Sequence, residues 1–94
     1  MFNIEWDDLL NKSNVNIIDI RDSFKYTRSH VFGAVNINRF ELENYPYMHL
    51  KKDEIYYIYC DNGLTSKRVV YSLNRLGYNT VNINGGFYNY LFRE

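Results

Sequence analysis

Short runs of apolar, largely β-branched residues recur along this chain of 94 residues, and stretches of helical spacing separate them. The runs cover residues 15–20, 35–37, 55–59 and 80–83. Residues 55–59 (IYYIY) are apolar throughout, which suits a central strand covered on both faces. The clearest helix follows, beginning near Ser66, with Val69, Val70, Leu73 and Leu76 on one face. Thr65 or Ser66 can cap its start, and Gly77 suits the position just past its end. Strands that alternate with helices predict an α/β fold with a mainly parallel sheet and right-handed crossovers.

The remaining segments are less sharply marked. Residues 4–10 place Ile4, Trp6, Leu9 and Leu10 as in a short amphipathic helix. Residues 22–26 read as a helical turn that Asp22 or Ser23 caps, and residues 39–45 as a weak helix with Phe40, Leu42 and Tyr45. Pro46 marks a break between elements, and Gly85 with Gly86 turns the chain into an aromatic-rich end at residues 87–92.

Bulk properties narrow the function. A chain of 94 residues makes one domain, 1–94, because two would each be too small to bury a core. A hydrophobic fraction of 46% argues against disorder. Eleven basic and eleven acidic residues give a net charge of +0, so no positive field exists to hold nucleic acid, and no polybasic run suits a membrane surface. The longest apolar runs fall far short of the roughly 20 residues that span a bilayer. The opening residues, MFNIEWD, lack the basic start and apolar core of a signal peptide, and the single cysteine cannot form an internal disulfide. The expected location is the cytoplasm.

That single cysteine, Cys60, stands where the best strand candidate gives way to the best helix. In open α/β sheets, chemistry gathers beyond the carboxyl ends of the strands. Asp61, Asn62, Gly63, Leu64, Thr65 and Ser66 form a short loop there, whose backbone N–H groups and following helix start favour negative charge on the sulfur or on a group it carries. Without that setting, a lone cysteine in a small protein is most often an inert apolar residue. Gly63 permits the positive φ that a tight curl needs. Lys67 and Arg68 open the helix against its dipole, either as plain surface charges or as attraction for an anionic substrate. Asp19 and Arg21 alternate with apolar residues and are expected to form a supporting ion pair near the sheet end. Neither His30 nor His49 completes a zinc pattern with one cysteine, so no metal is expected.

Five segments in order resemble a single-domain rhodanese. Ile18-Asp19-Ile20-Arg21 is similar to that family's D-x-R segment. Tyr26, Ser29-His30 and residues 33–37 (GAVNI) resemble its G-H-I-P-G-A-I-N-I stretch. Ile58-Tyr59-Cys60 with Gly63 and Ser66 resembles the catalytic strand and loop. Leu76-Gly77-Tyr78 and Asn84-Gly85-Gly86-Phe87 resemble the closing strand, turn and helix. The resemblance implies a rhodanese-like three-layer α/β/α fold with a small, mainly parallel central sheet of about five strands.

It also implies a sulfurtransferase without a cofactor, in which Cys60 accepts sulfane sulfur as a persulfide and passes it to a thiol or to cyanide. The partners would then be a sulfane-sulfur donor and a thiol acceptor, small molecule or protein. His30 carries over as a structural, hydrogen-bonding histidine. Ser29 and Phe32 depart from the usual glycine and proline, which bears on turn geometry. Asp61 and Asn62 replace the basic residue common in thiosulfate-using members, and an acidic neighbour repels a dianionic donor. Alternatives are a catalytically weak rhodanese-like protein-binding or sulfur-sensing module, a peroxide- or polysulfide-reactive redox sensor, and a cysteine phosphatase or arsenate reductase. The last pair rely on an arginine at the position that Ser66 holds here.

Overall fold

Five strands lie parallel in the order β1-β5-β4-β2-β3. The computed structural model describes residues 2–93, so Met1 and Glu94, the ends of the expected domain, lie outside them. In chain order the strands are β1 (Asn3–Ile4), β2 (Asn16–Asp19), β3 (Val35–Asn36), β4 (Ile55–Tyr59) and β5 (Asn79–Ile83). The helices are α1 (Trp6–Leu10), α2 (Ser23–Arg28), α3 (Arg39–Asn44), α4 (Leu64–Arg75) and α5 (Gly86–Phe92), with a 3-10 turn at Pro46–Met48.

Alternation along the strands builds a core on each face. Ile18, Tyr56, Ile58 and Cys60 point to one side, where Leu42 of α3 and Val69, Val70 and Leu73 of α4 cover them. Ile17, Tyr59 and Ile83 point to the other side and meet Trp6, Leu9 and Phe87. The three-layer α/β/α arrangement follows directly. β4 sits in the middle of the order, flanked by β5 and β2, which is why its five residues are apolar without alternation.

Three local expectations change. Residues 4–10 are not one helix: Ile4 pairs with Ile83 in β1, and α1 begins at Trp6. Neither Thr65 nor Ser66 caps α4, which starts earlier, at Leu64, behind Gly63 at φ 90°. The Asn62 side chain takes the first free N–H instead, accepting from Leu64 N at 3.0 Å. Leu76 leaves the apolar face and is exposed just past the end of α4. Two other end signals act as read: Asp22 Oδ1 accepts from Lys25 N to cap α2, and Gly77 follows α4 at φ 95°.

Candidate active site

β4 ends at Tyr59, so Cys60 is the first residue past the carboxyl end of the central strand. It keeps the inward direction of Ile58 and is buried. The chain then curls tightly, and the curl aims hydrogens at the sulfur. Gly63 N and Ser66 N each donate to Cys60 Sγ at 3.2 Å. The thiol in turn meets Ser66 Oγ at 3.2 Å. A sulfur receiving two N–H hydrogen bonds at a helix start is well placed to carry negative charge.

A glycine pair holds the curl from outside. Phe87 N donates to Cys60 O at 2.8 Å and Tyr88 N to Asp61 O at 2.9 Å, so the start of α5 binds the loop backbone. A Cβ on Gly86, at φ 60°, would stand 2.4 Å from Cys60 O and 2.8 Å from Gly63 N. Only a glycine admits that approach. Behind it, the Trp6 indole donates to Gly86 O at 2.8 Å, fastening α1 to the same corner.

The charged residues split into an inner and an outer pair. Inside, Asp19 accepts from Arg21 through Nε and through Nη2 at 2.7 Å, and the Arg21 backbone N–H adds a bond of 2.8 Å. Arg21 also donates to Ser29 O at 2.6 Å, and its guanidinium lies 4.0 Å from the Phe87 ring centre. Burial pulls the Arg21 pKa down, but the hydrogen bonds and charge of Asp19 outweigh it and hold the value above its ordinary level. Burial also pushes the Tyr59 hydroxyl pKa well up, with Asp19 adding to the effect. The expected Asp19–Arg21 ion pair thus forms one shell behind the loop and braces α2 and α5.

Outside, Asp61 is exposed and pairs with Lys25 of α2 at 3.0 Å. The hydrogen bond and charge of Asp61 raise the Lys25 pKa. A cation therefore faces the acidic position that the loop sequence shows on its own. Asn62 and Leu64 are exposed at the rim and Thr65 is half-buried, while Ser66 is fully buried. Lys67 turns away from the sulfur and lines a cavity of about 130 Å³ with Phe2, Asn3, Val70, Tyr71 and Asn82. Arg68 is exposed on α4. His30 Nδ1 donates to Tyr26 O over 2.7 Å and its ring stacks on the Tyr26 ring, a structural arrangement.

One residue of the site escapes the sequence reading. Asn82 on β5 is buried, and its Oδ1 lies 2.5 Å from Ser66 Oγ. The signal was present as an amide inside an apolar strand. With both faces of the sheet covered, such an amide must find partners. Among the described residues, no group of three or more His, Cys, Asp or Glu side chains could hold a metal ion, and no helix is long and apolar enough to cross a membrane.

The family model described as a rhodanese-like domain matches residues 4–92. The chain is 28% identical over 81 residues to the thiosulfate sulfurtransferase GlpE of Coxiella burnetii, which covers 85% of this chain and 75% of that protein. Among solved structures, a rhodanese-related protein of Thermoplasma volcanium is similar at a TM-score of 0.88 and 27% identity, over 97% of this chain and 91% of that one. A rhodanese-like domain protein of Staphylococcus aureus is similar at 0.81 and 31% identity, over 93% and 88%.

Proposed function

The chain belongs to the rhodanese-like domain family, and from that membership and the geometry around Cys60 we propose that it is a sulfurtransferase working through a persulfide on Cys60. The observation that carries the reading is the convergence of Gly63 N and Ser66 N on Cys60 Sγ, each at 3.2 Å. In the first step the Cys60 thiolate attacks the outer sulfur of a donor. A new S–S bond forms as the donor's own S–S bond breaks, and that electron pair leaves with the rest of the donor, as sulfite if the donor is thiosulfate. In the second step an acceptor thiolate or cyanide attacks the outer sulfur, and Cys60 recovers its thiolate. The loop N–H groups offset negative charge at the sulfur through both steps.

The similarity to GlpE makes thiosulfate the first donor to try. Asp61 alone argues against a dianion, yet Lys25 sits 3.0 Å from its carboxylate and offsets it. The pair is solvent-exposed, so its influence is screened by salt. Steady-state transfer to cyanide, read as thiocyanate, tests both points. The expected result is turnover from thiosulfate that Lys25→Ala slows severalfold, with transfer from cysteine persulfide, a donor of lower net charge, slowed less. Absence of turnover from every sulfane donor by folded protein would instead favour a rhodanese-like binding or sulfur-sensing module. A soluble, cytoplasmic setting and a thiol acceptor, small molecule or protein, complete the proposal, with a net charge of +0 and no polybasic run as their support.

A phosphatase reading fits the site poorly. The sixth residue after Cys60 is Ser66, whose hydroxyl is committed to Asn82 at 2.5 Å, and no guanidinium replaces it in the curl.

A further inference from the structure

We propose that Asn82 is a positioning residue for Cys60: it fixes the Ser66 hydroxyl so that the oxygen, not the hydrogen, faces the sulfur. The orientation follows from which groups can donate. Asn82 Nδ2 lies 3.2 Å from Asn3 Oδ1 and 3.5 Å from the Gly63 carbonyl oxygen. A carbonyl cannot donate, so the amide nitrogen belongs on that side and Oδ1 faces Ser66. The contact of 2.5 Å between Ser66 Oγ and Asn82 Oδ1 can only be bridged by the serine hydrogen. Ser66 Oγ is then left with lone pairs toward Cys60 Sγ, 3.2 Å away. A thiol hydrogen is welcome there. A thiolate is not, and it draws its support from the Gly63 and Ser66 N–H groups alone.

Asn82 therefore acts as a brake on the sulfur, and it acts through Ser66. All three partners are buried, so solvent does not soften the effect. The charged groups on the elements around the loop make no hydrogen bond or ion pair with Asn82. They are the Asp19–Arg21 pair at the end of β2 and the Asp61–Lys25 pair of the loop and α2, with the Tyr59 hydroxyl behind, while Lys67 and Arg68 on α4 are exposed. β5 and α5 carry no carboxylate or cation. The inference rests on the reading that the Cys60 sulfur is the reacting atom, but not on sulfur transfer itself.

The test is the pH profile of Cys60 alkylation by iodoacetamide, followed by intact mass, which needs no sulfur donor. Asn82→Leu keeps the size of the side chain and frees the Ser66 hydroxyl to turn and donate to the sulfur. The profile is expected to move to lower pH, with alkylation at neutral pH rising about tenfold, since one charge-assisted hydrogen bond is worth roughly one pH unit. Ser66→Ala is expected to move it to lower pH as well, by less, because an opposing oxygen is removed without a donor being gained. In the Ser66→Ala background, Asn82→Leu should add nothing. A shift to higher pH in Ser66→Ala would overturn the proposal, as that would make the hydroxyl a donor. So would an unchanged profile in folded Asn82→Leu, which would leave Asn82 a purely structural role. Should Asn82→Leu fail to fold, the direction of the Ser66→Ala shift still decides. Failed sulfur transfer beside these alkylation shifts would count against the sulfurtransferase and leave the positioning role standing.

Discussion

Gly86 matters here for what it lacks. Its missing side chain lets the start of α5 touch the backbone of Cys60 and Gly63, and this contact sets the curl that delivers N–H groups to the sulfur. Gly86→Ala should therefore cost about 3 kcal/mol, combining a left-handed backbone with a clash against backbone atoms. Gly33→Ala provides the comparison, since Gly33 has φ 85° but nothing within 4 Å of the added methyl. Its cost should be only about 1 kcal/mol, the conformational part alone. Urea denaturation of both variants checks the difference. Equal costs would mean that the clash at Cys60 is relieved without strain. Cys60, Gly63, Ser66 and the Asp19–Arg21 pair were all legible in the sequence, because each belongs to a local pattern. Asn82 was not, because its partners come from β1, the Cys60 loop and α4, and no local pattern announces them.

At the scale of elements, the end of β2 is tied down by a buried charge. The Asp19 carboxylate is fully buried and takes its hydrogen bonds from Arg21. Arg21→Met would leave that carboxylate without its cation, which typically costs about 3–5 kcal/mol. Thermal unfolding should show the loss. A variant as stable as the parent would mean that Asp19 takes up a proton or finds other partners at little cost. The central strands and α4 could be read in advance because their apolar residues repeat over several positions. β1 could not be, since a strand of two residues carries no period and Ile4 runs straight into the helically spaced Trp6, Leu9 and Leu10. The start of α4 was misplaced for a related reason. Thr65 and Ser66 are good caps in isolation, but the curl recruits the Ser66 N–H for sulfur and leaves capping to the loop.

Across the whole molecule, the loss of stability at alkaline pH has a specific source. Burial and Asp19 hold the Tyr59 hydroxyl protonated well above its ordinary value of 10.0. Above pH 10.0 the unfolded chain therefore binds fewer protons than the folded one at this residue. The contribution is fully present below that pH and is lost as pH rises toward the folded value. Tyr59→Phe should lose about 1 kcal/mol at neutral pH, because Val31 N–H gives up a partner at 3.2 Å, yet its stability should fall less steeply above pH 10.0. Urea midpoints across that range give the slope, and parallel slopes would count against the assignment. In the proposed function, the two core layers and the parallel sheet serve to present one sulfur that carries another. Intact mass after exposure to thiosulfate, a polysulfide or cysteine persulfide tests it most directly, with Cys60→Ser as the control. A gain of one sulfur atom is expected, removed by cyanide and absent in Cys60→Ser. No gain from any donor, in folded protein with a free thiol, would contradict it.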